Sequence, residues 1–210
     1  MIMSFPTRSA IQKCPDFELA RFYALHRLTN SLSPLLSYHT LLHTSHDVLP
    51  AVERLAILEQ LDDEELLLVR TAALFHDIGF VEQRDDHEAI SARIAATILP
   101  HFGYSNSQVM AISCMIMATK LPQAPKTHLE QLVADADLDV LGRDDFLARN
   151  QALRNEFAAY GVQMSDAQWD ESQLAFLTSH RYWTSSARRL RDAGKQQNIR
   201  ALMHRLQMAG

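Results

Sequence analysis

The run Leu66-Leu67-Leu68-Val69-Arg70-Thr71-Ala72-Ala73-Leu74-Phe75-His76-Asp77-Ile78-Gly79 decides how this chain is read. A mostly apolar stretch ends on a histidine and an aspartate, side by side. It is too short and too interrupted to span a membrane. Asp62-x-x-Glu65, just ahead of it, is a capping-box pattern. The spacing therefore predicts a helix that opens at Asp62 and ends near Asp77, with Gly79 suited to the C-terminal cap. Polar groups in such a helix are costly to bury unless something satisfies them. A divalent metal satisfies both, because it takes a neutral imidazole nitrogen and a carboxylate oxygen and neutralises the buried charge. Neighbours on a helix point about 100° apart. His76 and Asp77 therefore reach one ion only from a helix end or a twisted turn.

Two residues cannot hold an ion alone, so further ligands are needed. Upstream, Tyr38-His39-Thr40-Leu41-Leu42-His43 places two histidines at i and i+4, on one face of a helix. Downstream, Val133-Ala134-Asp135-Ala136-Asp137-Leu138-Asp139 places three carboxylates in another apolar segment.

Tyr-His-x-x-x-His, then Phe-His-Asp-Ile-Gly, then Ala-Asp-Leu, each on its own helix, resembles the HD superfamily of metal-dependent phosphohydrolases. The resemblance runs from Tyr38 to Gly142. It implies His43, His76, Asp77 and Asp137 as ligands of one divalent metal ion, with His39 beside them as an acid or phosphate contact. Asp137 is chosen because Ala136-Asp137-Leu138 matches the family ending; Asp135 and Asp139 point to other faces and are expected to cap a helix or to pair with Arg143. The family usually has an aspartate three positions after the ligand histidine. Here His46 stands there, read as a surface residue, and Asp47 comes one later.

Two imidazoles and two carboxylates balance a divalent charge, and the mixed donors suit Mn, Fe, Co, Ni or Zn better than Ca, which prefers all oxygen; the choice among these and Mg stays open. Some HD proteins hold a second metal through extra histidines. His87 is placed for one, but the expected helix from Ser105 to Thr119 offers no partner ligand. One metal is therefore expected, with His87, Glu88 and Lys120 as acid, base or phosphate contacts. The implied reaction is hydrolysis of a phosphoester, of a nucleotide or another small phosphorylated metabolite, by metal-bound hydroxide, with His39 or His87 protonating the leaving oxygen. No Gly-x-Ser-x-Gly elbow or P-loop competes with it. Two other readings stand beside it: a regulatory module that binds metal and nucleotide without turnover, and a dinuclear oxidase-like HD protein.

The rest of the chain is punctuated as helices throughout. Asp16 caps a first helix to Leu28. A second covers His39 to about Gln60, with Pro50 interrupting or kinking it. Others fit His87 to Leu99, Ser105 to Thr119, Thr127 through the aspartates, Arg143 to Tyr160 and Ser165 to Ser179. Thr184 to Met208 reads as one long helix or a broken pair. No segment alternates as a strand. The expectation is an all-α chain of about eight or nine helices: a single globular HD-type domain with a C-terminal helical extension. Residues 1–37 are expected to supply an N-terminal helix packed on the core, 38–142 the HD core, and 143–210 further helices of the same domain.

At 47% hydrophobic residues the chain is globular rather than disordered. A net charge of −5 argues against dedicated nucleic-acid binding. No run approaches a membrane span, and Met1 to Ala10 has no apolar core of leader length, so no membrane partner is expected. Cys14 and Cys114 form no metal spacing or disulfide framework, which fits a reducing cytoplasm, and Cys114 reads as a small core residue. Residues 181–210 carry +6 and the first 180 residues −11. Arg188, Arg191 and Lys195 share a helical face there, read as lying solvated against the acidic body rather than meeting substrate phosphates. Nothing in the sequence sets the oligomeric state.

Overall fold

The structure, a computed structural model, describes residues 14–209, so the leader reading of Met1 to Ala10 falls outside it. Among the described residues there are nine α-helices and no strands. Helix α1 (Phe17–Ser31) starts at Asp16, whose side chain accepts the Leu19 N–H. Two further α-helices frame the decisive run: α2 (Leu49–Leu58) before it and α3 (Asp63–Phe75) within it.

The capping box of α3 forms in both directions: Glu65 N–H donates to Asp62 at 2.8 Å and Asp62 N–H to Glu65 at 3.1 Å. From Leu68 to Phe75 only Arg70 escapes burial. A helix apolar almost all round belongs in the centre of a bundle. Helix α3 accordingly packs against α1, α2, α5 (Asn106–Met117) and α6 (His128–Asp137). Leu74 and Phe75 are fully buried, each contributing about 1.5–3 kcal/mol.

The expected kink at Pro50 takes a specific form. Residues His43–Val48 are π-helical and run straight into α2. Pro50 has no N–H for the His46 carbonyl, and its ring crowds that carbonyl in a regular helix. Wider hydrogen bonds relieve the conflict, as in Leu49 N–H to Thr44 O.

Helix α4 (His87–Ile98) ends in a 3-10 turn that carries Pro100. Helix α5 has the Ser105/Gln108 box. In α6, Thr127 caps Glu130, but the Glu130 side chain takes the Lys126 N–H instead of that of Thr127. Helix α7 (Phe146–Ala159) starts later than expected, because Arg143 folds onto Asp145 in a turn; it closes before Gly161, at φ +87°. Helix α8 (Asp166–Ser179) begins with the Ser165/Gln168 box, and α9 (Ser185–Ala209) is one unbroken helix of 25 residues.

Expectations at Cys114, Gly79 and Asp139 are corrected. Cys114 is exposed, because the buried face of α5 is Val109, Ile112, Met115 and Ile116, and position 114 points away from it. Gly79 is no left-handed cap. A Cβ there would lie 2.0 Å from the His87 carbonyl oxygen, so glycine is needed for close approach to α4. Asp139 pairs with Arg54 and, in a two-pronged bond at 2.7 and 2.8 Å, with Arg191, not with Arg143. Asp135 does cap, accepting the backbone N–H groups of Trp183 and Thr184 and the Thr184 hydroxyl.

These contacts dock α9 on the body. A Cβ on Gly142 would sit 2.3 Å from the Arg191 carbonyl oxygen, and one on Gly194 would sit 2.1 Å from that of Gly142. The two backbones touch there. Asn198 donates to the carbonyls of Leu141 and Arg143. Lys195, expected to be solvated, is buried and donates to the His180 carbonyl. Among the described residues no helix is long and apolar enough to cross a membrane.

Candidate metal centre

Three chain breaks converge at one end of α3. His43 opens the π segment, His76 and Asp77 follow the last residue of α3, and Asp137 ends α6. Asp77 has left the helix, at φ −106° and ψ 5°, the twisted turn that lets both neighbours face one point. His43 Nε2 lies 3.3 Å from Asp137 Oδ1 and 3.6 Å from Asp77 Oδ2. His76 Nε2 lies 3.4 and 3.3 Å from the same two oxygens. His43, His76 and Asp137 each offer an atom within 4.8 Å of the others, and Asp77 closes on both histidines.

The donors fit a metal ion. Ligand atoms about 2.1 Å from one ion stand roughly 3.0–3.4 Å apart. That matches the observed separations, which are long for hydrogen bonds. Four buried atoms here, both ring nitrogens of His43, Nε2 of His76 and Oδ2 of Asp77, have no hydrogen-bond partner. Buried polar atoms without partners are rare. His76 Nδ1 is 2.7 Å from the Ala73 carbonyl, which can only accept. The ring proton therefore sits on Nδ1, and the Nε2 lone pair faces the cluster. Burial alone would push the Asp77 and Asp137 carboxyls up, but the facing imidazoles of His76, His43 and His87 hold both below the usual range. Burial pulls His43 and His76 down, and the aspartates more than reverse it.

Asp47 stands behind His43, with Oδ2 3.7 Å from Nδ1, and is held by Arg143 and Arg149. The one-residue displacement in the sequence thus does not remove a carboxylate from behind His43. His46 is on the surface, bonded to Ser45.

The other expected residues stand around this cluster. His39 lies edge-on to His43 and stacks on Phe80, at a ring separation of 4.6 Å. His87 also stacks on Phe80, at 3.9 Å, and its Nε2 is 3.4 Å from Asp77 Oδ1 and 3.6 Å from Glu88 Oε1. Its Nδ1 meets the Arg84 carbonyl at 3.1 Å, so the Nε2 side is turned to the acids. Burial lowers the His87 pKa, and Asp77 and Glu88 outweigh this and raise it. Lys120 is further out, on the surface, paired with Asp86.

His39, Phe80, His87, Glu88 and Lys120 line one cavity of about 540 Å³, the size of a small-molecule site. Asp77 and Asp137 form part of its wall. Arg84, Lys120 and Arg149 bring positive charge, and Phe146, Asn150, Leu153 and Phe157 of α7 form the far side. Those four recur at i, i+4, i+7 and i+11, a helical stripe visible in the sequence but indistinguishable there from ordinary core.

Two residues escaped the sequence reading. Arg84 lies over the rings of Phe157 and Tyr160, at 4.7 and 5.1 Å. Glu156, fully buried, accepts the backbone N–H groups of Tyr38 and His39 and sits 2.6 Å from His39 Nδ1. A lone glutamate in a polar helix carries no signal of such burial.

Residues 47–139 match the HD domain family, a stretch that includes His76, Asp77, His87 and Asp137 and leaves out His39 and His43. A crystal structure of a predicted HD superfamily hydrolase from an uncultured Thermotogales bacterium is similar over 95% of this chain and 97% of that one, with 20% identity and a TM-score of 0.63. Bacillus subtilis YpgQ, solved in complex with ADP, is similar over 89% of this chain and 92% of its own, with 22% identity and a TM-score of 0.63. At such identities the likeness speaks for the fold. No curated protein matches the sequence.

Proposed function

We propose, from the premise that residues 47–139 match the HD domain family, that this chain hydrolyses phosphoester bonds in a metal-dependent reaction, acting on a nucleotide or another small phosphorylated metabolite. The observation that carries the reading is the group of unpartnered, buried ligand atoms at the wall of a cavity with cationic side chains. His43, His76, Asp77 and Asp137 would hold one divalent ion. Such an ion makes water acidic enough to give up a proton near neutral pH and polarises a phosphoryl oxygen.

The chain's own groups do the rest. Arg84 and Lys120 bind phosphate oxygens at the cavity mouth. Phe80, stacked against both His39 and His87, holds the two imidazoles at the cavity wall. Water's oxygen bonds to phosphorus and the ester oxygen leaves with its electron pair. That oxygen takes a proton from His39 or His87, and the proton shed by the water restores the imidazole. ADP in YpgQ supports a nucleotide as the substrate class here.

The test is elemental analysis of the purified chain and of His76→Ala, with both assayed on a panel of nucleotides, aryl monoesters and aryl diesters. The expected result is metal in the wild type, little in the variant, and hydrolysis only by the former. Equal metal and equal rates in both would remove the reading. A metal-loaded wild type that binds nucleotide but turns nothing over would make the chain a regulatory module.

A further inference from the structure

We propose that Glu156 is a positioning residue that fixes the tautomer of His39, so that the imidazole meets the substrate's leaving oxygen with Nε2. The inference rests on the hydrolase reading above and adds a residue outside the matched domain stretch.

Glu156 sits on α7, remote in sequence from the ligands, and is 0% exposed. An ionised carboxylate in such a place needs partners for both oxygens. Oε2 accepts two backbone N–H groups, from Tyr38 at 2.9 Å and His39 at 3.0 Å. Oε1 is then left for the His39 ring, at 2.6 Å from Nδ1. Burial would raise this carboxyl, and the hydrogen bonds from His39 and Tyr38 hold it below the usual range, so it is an acceptor only. The ring proton must therefore lie on Nδ1. Nε2, across the ring, is the nitrogen available for exchange, on a side chain that lines the cavity beside Asp77. In that tautomer the Nε2 lone pair is free to take up the proton that the ring passes to the leaving oxygen.

The same geometry dictates what an amide would do. In Glu156→Gln the two backbone donors require the amide oxygen at the Oε2 position. The amide NH₂ must then face His39 Nδ1 and donate to it. The neutral ring is driven to the opposite tautomer, with its proton on Nε2 and no lone pair there to take up another. The backbone contacts survive, which separates this effect from loss of the Tyr38–His39 turn.

The experiment pairs kinetics with ¹⁵N-histidine NMR on the zinc-loaded chain, with His39 assigned by its absence in His39→Asn. The wild-type ring, once neutral, is expected to be protonated at Nδ1 and the Glu156→Gln ring at Nε2. Over the same change kcat is expected to fall about 10–100-fold, with KM and metal content within about twofold. A wild-type ring protonated at Nε2 overturns the inference, with no variant needed. So does a reversed tautomer with unchanged kcat. A metal-loaded wild type inactive on every phosphoester would instead sink the hydrolase reading, while its spectrum would still decide the Glu156 bond.

Discussion

Asp47 shows how a side chain outside the cavity can reach the His43 ring from behind. It is an anchor between His43 and two arginines, Arg143 and Arg149. Burial works against its charge, but His43, Arg143 and Arg149 prevail and bring its pKa to about 2. It therefore faces His43 as an anion at all physiological pH values, favouring the ring with Nε2 free for a metal. Asp47→Asn is expected to weaken metal affinity about 10–100-fold, read by competition with a chelator, with the helical circular dichroism unchanged. Metal itself should stabilise the fold: at 100 times Kd the gain is about 2.7 kcal/mol, a rise of roughly 5–11 °C in Tm for a chain of this size. His76→Ala should abolish that rise, and a variant that kept it would place the ion elsewhere. The contrast between His76 and Glu156 marks the limit of reading residues from sequence. His76 and Asp77 stand out because their neighbours are apolar. Glu156 lies in a mixed polar helix, and its burial comes from Tyr38 and His39, which are distant in the chain.

At the scale of elements, local signals were the legible ones. The boxes at Asp62, Ser105 and Ser165 all form, because each needs only side chains three residues apart. What the local pattern lacks is who lies alongside. The glycine at 79 reads as a cap when alone and proves to be a seat for α4; the π segment around His43 needs the Pro50 conflict to be resolved in space. These seats give an ordered set of outcomes. Gly142→Ala pushes a Cβ into the backbone of α9 and should cost about 1–3 kcal/mol or more in urea unfolding. Gly161→Ala meets nothing within 4 Å and should cost about 1 kcal/mol, from its positive φ alone. Gly79→Ala must displace the His87 carbonyl, so it should lower kcat as well as stability. Equal losses in the first two variants would mean that α9 is not closely seated.

For the molecule as a whole, the all-α class was plain from the absence of strand alternation, while the inward turn of the basic tail was not. Charge alone could not show that Lys195 would be buried beside His180. Burial, and then the Lys195 charge, lower the His180 pKa to about 4. The unfolded ring, near 6.5, binds its proton more readily than the folded one. Stability from this group is thus complete above pH 6.5 and is lost as pH falls from there towards 4. Urea unfolding at steps across that window should show the decline, and His180→Gln should flatten part of it; an unaltered slope would assign the titration to another group. The seating of α9 has one more consequence. Asp137 lies between Asp135, which is held by Thr184, and Asp139, which is held by Arg191. A ribosome releases the aspartates well before it releases their keepers. The growing chain therefore makes His76 and Asp77 early and lacks the means to set Asp137 until α9 has emerged, which ties ion capture to the synthesis of α9 rather than to that of the ligand residues.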